Sequence, residues 1–472
     1  MLDQFSLNEN VACGPGHICE HGRDPQPSGV GTEAMGAEAV SASQFHPADR
    51  PIGFIGNSGG AMPKDTIIIG GAGHAGVQAA VRLRELDWPG RILMIAPDSE
   101  APYERPPLSK DFLKPGSSDD AVPLRKAGYF EDKGIERVQG RIHQVVRDGR
   151  HVLLEDGSRH DYVKLILAPG SKARRLTVPG SDVDGIYQLK TWEDAAAVKG
   201  ALGPGTRVAV IGAGYIGLEV AAAAASLGCE TTILEFQDRV MSRVTSEPVS
   251  RFFERVHETK GTRLVFGAAV AEVRGDDRVR EIVTSDGTVY PADVVIVGIG
   301  VVPLQELAQD CGLRAEDGII VDRDGRTSDP DIYAAGDATR LVDEGEGINR
   351  RLESIQNAVV QGANAANHIM GAPTDKREVP WFWTVQHGVR LQTAGVRDPD
   401  DTVVVRGSEG EQFSVLYLRE GRLAAIDTVG SLRDFNPGKK LIAAGVPLDP
   451  ERAADPSIKL SEAARDLATR KA

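Results

Sequence analysis

Two short glycine runs and two carboxylates carry the chemistry in this chain. Gly71, Gly73 and Gly76 form one G-x-G-x-x-G, and Gly212, Gly214 and Gly217 form a second. In each, the first glycine permits a tight turn, the second lets backbone approach a pyrophosphate, and the third lets a helix pack on a strand. The helix that opens there presents free N–H groups and the positive end of its dipole to the phosphates. Glu235 closes the strand TTILE, where a carboxylate accepts from both hydroxyls of an adenosine ribose and repels a 2′-phosphate. Phe236 and Gln237 follow it with no arginine, so this unit should prefer NADH to NADPH. A solvated strand-end acid is the plainer account of Glu235. Asp337, after IYAAG, is placed either to cap the next segment or to accept from the ribityl hydroxyls of a flavin, with Gly336 allowing close approach.

A rigid cationic arm accompanies them. In YERPPLSK, residues 103–110, two prolines stiffen the chain between Arg105 and Lys110. By itself the arm is also an ordinary surface turn, and only its neighbours give it a purpose.

The elements that must hold these residues form a repeat. Residues 66–95 and 207–234 share one layout of apolar strand, glycine turn, alanine-rich helix and second strand. Strands alternating with helices imply a parallel sheet covered by helices, hence an α/β fold with two dinucleotide-binding units. The run VAAAAASLG, 220–228, reads as the buried side of the second helix. With 472 residues, about three domains are expected. Residues 1–62 are rich in Gly, Pro, Ser and Ala and read as a disordered extension, with Met62 as an alternative start.

Composition removes several function classes. The net charge of −14 argues against nucleic acid and anionic lipid as partners. No stretch is long and apolar enough to span a bilayer. Four cysteines cannot frame a secreted fold, and the start lacks an apolar leader, so a reducing cytoplasm is expected. Cys13 and Cys19, near His17 and His21, lack a common zinc spacing, and no metal site is assigned. Cys229 and Cys311 read as small core residues.

The motifs YERPPLSK, GAGYIGLEVAA, VVIVGIGVVP, IYAAGDAT, RLESIQNA and PWFW together resemble the FAD-dependent, NADH-using ferredoxin reductases that serve Rieske oxygenases and bacterial cytochromes P450. The resemblance runs from about residue 64 onward. It implies a glutathione-reductase-like fold: FAD domain 63–180 and 306–375, NAD domain 181–305 inserted between its parts, and a C-terminal α+β domain 376–472. Lys110 is implied beside the flavin with Arg105 near the cofactor. Further flavin contacts map to Ala75, His143, Ala168, Gly170, Lys190 and Glu353, Ser354 and Ile355 at a helix start. On the NAD side the implied contacts are Tyr215, Ile216 and Gly298, with Glu219 near the nicotinamide, although a partly buried helix acid is the alternative there. Trp383 is implied near the flavin ring, or is a plain core aromatic. Lys110, Glu219 and Trp383 are thus the expected catalytic residues.

The implied cycle passes hydride from NADH to FAD and then single electrons to a [2Fe–2S] ferredoxin. Disulfide reductases of this fold need paired cysteines beside the flavin, and the related NADH oxidases and peroxidases a single one; YERPPLSKDFL contains none. A non-catalytic NADH-responsive flavoprotein like apoptosis-inducing factor is the competing reading. Monomer and homodimer both stay open.

The chain also departs from the resemblance. Lys190 stands where arginine is usual, which loses the planar fork. Pro97 stands where an acid often meets the FAD ribose, leaving Asp98 or Glu100 to substitute. APG at 168–170 replaces ATG. After PWFW come Thr384, Val385, Gln386 and His387, where Ser-Asp-Gln-Tyr is common. Docking of an acidic ferredoxin on an acidic protein needs a local basic patch, for which Arg433, Lys439 and Lys440 are candidates.

Overall fold

The computed structural model describes residues 65–464, apart from 99–100, 115, 119, 375–377, 409–411 and 431–432. The expected extension, its Cys13 and Cys19, and Glu100 lie outside the described residues.

Strand β1 (Thr66–Gly70) is buried along its whole length, and its three isoleucines have no solvent exposure. Such a run, apolar on both faces, suits the centre of a parallel sheet. Helix α1 (His74–Glu85) leaves it through the glycine turn and returns to β2 (Arg91–Ala96). Strands β3 (Ile135–Gln139), β4 (Ile142–Val146) and β5 (Lys164–Leu167) follow. The inserted unit contributes β6 (Ile186–Tyr187), β7 (Arg207–Ile211), α2 (Tyr215–Ser226), β8 (Glu230–Glu235), α3 (Glu247–Thr259), β9 (Arg263–Phe266) and β10 (Val294–Val297). Afterwards β11 (Ile332–Ala334) and α4 (Ile355–Ile369) return to the first unit.

Two five-stranded parallel sheets result. Their orders are β11-β5-β1-β2-β3 and β9-β8-β7-β10-β6, each with the strand before its glycine turn at the centre. The repeat read in the sequence is therefore a repeat in topology. Because β11 pairs in parallel with β5 (Ile332 beside Leu165), the chain leaves the first sheet and re-enters it after building the second. Helix α4 crosses α1 at Gly362, where a Cβ would stand 2.3 Å from the Ala75 carbonyl oxygen, and Arg82 Nε donates to Asn367 Oδ1 at 2.7 Å.

The last unit is an antiparallel sheet of β12 (Trp381–Gln386), β13 (Val389–Gly395), β14 (Thr402–Arg406), β15 (Phe413–Arg419) and β16 (Arg422–Val429), in the order β12-β13-β16-β15-β14. Helix α5 (Phe435–Ala444) packs on one face, with Gly438 tight against Ile426. The inserted unit is joined to this sheet by buried polar bonds. Tyr417 OH donates to Asp427 Oδ2 at 2.5 Å and accepts from Ser246 N at 3.1 Å, and the Thr245 hydroxyl also donates to Asp427. No helix among the described residues is long and apolar enough to cross a membrane.

Candidate active site

Each glycine turn is built for a ligand at one position and for packing at the others. At Gly71 (φ +130) a Cβ would lie 2.1 Å from the Ala168 carbonyl oxygen, and at Gly76 it would lie 2.0 Å from that of Gly71. The second turn repeats this, with 2.7 Å from Gly212 (φ +98) to the Gly298 oxygen and 2.1 Å from Gly217 to the Gly212 oxygen. Gly73 and Gly214, by contrast, face open space, with nothing within 4 Å of the added carbon. Neither helix has a side-chain cap, so the donors of the first turn of α1 and α2 stay open to a phosphate. Both cradles fit a dinucleotide.

Around the first turn, a cavity of about 170 Å³ opens at the carboxyl ends of β1 to β3, lined by Ala72, Ala96, Asp98 and Arg137 among others. This is where an open α/β sheet holds an adenosine. Asp98 also lies 3.6 Å from Arg105, whose guanidinium donates to the Lys190 carbonyl at 2.8 Å and covers the Tyr103 ring at 4.5 Å. Ala75, in the first turn of α1, lies beside Gly336 (φ +84), where an added Cβ would stand 3.1 Å from the Ala75 Cβ. Gly170, also left-handed, faces open space. His143 stands exposed on β4.

Asp337 accepts from Lys190 Nζ at 3.1 Å and from Ser171 Oγ at 2.9 Å. Burial pushes its carboxyl up, but Lys190, Ser171 and Arg351 together outweigh burial and hold it below the usual range. Ser354 caps α4, accepting from Asn357 N at 3.1 Å, so Ile355 is its first residue. Glu353 pairs with the buried guanidinium of Arg351. Burial nonetheless raises Glu353 to about 7, with Asp337 adding to the rise. The carbonyl oxygen of the Gln356 side chain is buried without a hydrogen-bond partner.

In the second unit Glu235 accepts from Ala213 N at 2.5 Å and Gln237 N at 2.8 Å, so the carboxylate is clamped to the glycine turn itself. Ile216, at the helix start, is 43% exposed and Phe236 is 66% exposed, both unusual for large apolar groups and both beside the cradle. Tyr215 stacks on Phe382 with ring centres 4.6 Å apart. Gly298 packs on the cradle, with an added Cβ 3.3 Å from Gly217 Cα.

The two units meet at the rigid arm. Prolines 106 and 107 open a single 3-10 turn, and Lys110 follows it with Nζ 2.6 Å from Glu219 Oε2. Ser109 Oγ donates to the same oxygen at 2.5 Å, while Thr384 Oγ1 donates to Oε1 at 2.6 Å. The Glu219 side chain is 1% exposed and Lys110 18%, so three donors from two other units converge on a carboxylate shut away from water. Trp383 lies one residue from Thr384, its ring 5.4 Å from Trp381 and 6.3 Å from Phe382. Lys110 and Glu219 are thus brought together, whereas Trp383 adjoins Thr384 in the strand with its ring packed on Trp381 and Phe382, and His143 is not seen to join them. Ser109, Ser171, Arg351 and Thr384 were not read as partners of these groups. Arg351 opens the motif RLESIQNA, but its polar neighbours in sequence gave no sign of its burial.

Residues 64–362 match the pyridine nucleotide-disulphide oxidoreductase family and residues 381–464 the reductase C-terminal domain. The chain is 40% identical over 406 residues, 85% of its length and 98% of the relative's, to the 5,5′-dehydrodivanillate O-demethylase ferredoxin reductase subunit of Sphingobium sp.. Among solved structures it resembles the ferredoxin reductase for the CYP199A2 system from Rhodopseudomonas palustris (38% identity, TM-score 0.82, covering 85% of this chain and 100% of that one). It also resembles the covalent putidaredoxin reductase–putidaredoxin complex (35% identity, TM-score 0.82, covering 85% and 98%). The chain belongs to the pyridine nucleotide-disulphide oxidoreductase family, within its ferredoxin reductases.

Proposed function

We propose that this chain is an NADH-dependent, FAD-containing reductase that passes single electrons to a [2Fe–2S] ferredoxin supplying a Rieske oxygenase or cytochrome P450. The observation that carries the reading is the buried Lys110–Glu219 pair, which joins the arm of one dinucleotide unit to the first helix of the other. The relatives' names support a ferredoxin as acceptor.

Residues 63–180 and 306–375 hold FAD in this reading, 181–305 hold NADH, and 376–472 close the site. Gly73 and the α1 N-terminus bind the FAD pyrophosphate, and Asp98 takes the ribose in place of the acid missing at Pro97. Asp337, kept ionised by Lys190 and Ser171, accepts from the ribityl chain. Glu353, Ser354 and Ile355 present the α4 N-terminus to the ring. Glu235 turns from its backbone partners to the NADH ribose, and a 2′-phosphate meets its charge there. Bound FAD supplies the hydride-accepting ring and the conversion of one two-electron step into two one-electron steps. Lys110, Glu219 and Trp383 orient the reacting rings and keep water out. Lys110 is a fixed cation for the negative charge that reduction brings, because its arm has little backbone freedom.

Toward the surface, Trp381 continues the aromatic row from Trp383, and Lys439 Nζ sits 5.3 Å above its ring. With exposed Arg433 and Lys440 this offers an acidic ferredoxin a basic landing place beside the site. The test is stopped-flow reduction by NADH followed by turnover with a [2Fe–2S] ferredoxin or cytochrome c. Fast reduction with acceptor turnover is expected. Slow reduction with no turnover would abandon the reductase in favour of a non-catalytic NADH-responsive flavoprotein.

A further inference from the structure

The Thr384–Glu219 bond is the inner end of a longer chain of bonds. Gln386 Nε2 lies 3.3 Å from Thr384 Oγ1, His257 Nε2 lies 3.1 Å from Gln386 Oε1, and His387 Nε2 lies 3.3 Å from His257 Nδ1. Thr384, Gln386 and His257 have no solvent exposure at all. Buried polar groups held in series must all be satisfied at once, so their donors and acceptors fix one another.

The polarity follows from the inner end. A carboxylate only accepts, so the Thr384 proton is spent on Glu219. Thr384 Oγ1 must then accept from the Gln386 amide NH₂. That leaves Gln386 Oε1 facing His257, which must carry its proton on Nε2. The bare Nδ1 of His257 accepts from His387 Nε2–H. Every donor points inward, toward Glu219.

Both rings are suited to this as neutral groups. Burial, against the Gln386 bond, lowers His257 to about 4, and burial followed by Lys260 lowers His387 below its ordinary value. Arg255 and Lys260 from the α3 side and Arg390 from β13 line the opening where His387 emerges. The turn alone does not call for histidine. Residues 387 and 388 both have positive φ (50° and 82°), a two-residue hairpin turn that Asn-Gly or Gly-Gly fills best.

We propose that His257, fixed by His387, is a positioning residue for NADH oxidation: through Gln386 and Thr384 it holds the Glu219 carboxylate against Lys110. This rests on the roles of Lys110 and Glu219 proposed above. With its proton on Nδ1 instead, His257 would turn the Gln386 amide around, and the Thr384 hydroxyl would swing to Gln386 Oε1 and away from Glu219.

Two measurements test it. Histidine ¹⁵N spectra, taken on both the FAD-loaded protein and the apoprotein, should show residue 257 neutral with its proton on Nε2 near neutral pH. A proton on Nδ1 overturns the proposal. In stopped-flow reduction by NADH, Thr384→Val should slow the step about tenfold while the NADH dissociation constant stays within about twofold, because positioning acts on the transition state and not on uniform binding. Thr384→Ser, which keeps the hydroxyl, should restore the rate. His387→Gly, suited to its backbone, should slow reduction about threefold without touching NADH affinity, and serves if Thr384→Val fails to fold. Unchanged rates in both Thr384→Val and His387→Gly overturn the role. If the unsubstituted protein were not reduced by NADH, the functional reading would fail and the positioning role with it, while the ¹⁵N spectra would still decide the bond polarity.

Discussion

A methyl group at Gly214 should separate binding from folding. The position is the N-cap of α2, with φ −77° and ψ −177°, an extended geometry open to any residue. An added Cβ meets nothing within 4 Å. Alanine is a poorer N-cap than glycine by some tenths of a kcal/mol, and it recovers about 0.4–1 kcal/mol by restricting the unfolded chain. The two nearly cancel, so Gly214→Ala should leave the urea stability of the apoprotein within about 0.5 kcal/mol. NADH fares differently, because the methyl occupies the approach of its pyrophosphate. Losing one charge-assisted backbone hydrogen bond costs about 1.5–3 kcal/mol, or roughly a ten- to 150-fold rise in the dissociation constant by calorimetry. FAD content should be unchanged. Gly73→Ala should do the reverse, releasing FAD and leaving the second cradle intact. Gly217→Ala is the control for packing: its Cβ would lie 2.1 Å from a carbonyl oxygen, so it should lose stability itself, by about 1–3 kcal/mol. If Gly214→Ala bound NADH within twofold of the original, or if both N-cap variants weakened the same ligand, the assignment of the two cradles would be refuted.

Further expectations follow from the polar contacts. A double-mutant cycle of Lys110→Met and Glu219→Gln should show a coupling of at least about 1 kcal/mol in urea unfolding, since breaking a buried pair strands one charge; no coupling would mean that the pair behaves like an exposed one. Asp427, raised by burial from 3.8 to about 6 against the pull of Thr245 and Tyr417, keeps its proton longer when folded than when unfolded. Its contribution is therefore full below about pH 4 and declines by roughly 3 kcal/mol as pH rises to 6, and Asp427→Asn should flatten that stretch of the stability curve. Charge reversal at Lys439 and Lys440 should raise the Michaelis constant for ferredoxin, more at low salt, and leave reduction by NADH as it was.

The sequence made the repeat legible because its signals are local. An apolar strand, a glycine turn and an alanine-rich helix lie within thirty residues of one another, and steric rules alone assign Gly71 and Gly76 to packing and Gly73 to a ligand. The Lys110 arm was legible as a rigid cation, but its partner was not. Glu219, Ser109 and Thr384 come from distant parts of the chain, and no periodicity links a carboxylate on one helix to a hydroxyl on a strand 165 residues later. Lys190 shows the same limit. Its bonds to Asp337 and Ser171 join residues that only tertiary packing brings within reach. The departure at Thr384 to His387 was visible as a change of residue types, and the structure turns it into a row of hydrogen-bonded side chains.

The pairing of β11 with β5 has a consequence for synthesis. The inner sheet is complete once the ribosome has passed residue 297, whereas the outer one still lacks its edge strand at 332–334 and the helix at 355–369. A nascent chain thus carries a finished inner lobe behind an unfinished outer piece, and closing that long loop must wait for the returning strand and helix. The docking of α4 across α1 therefore waits until residue 369 has been made.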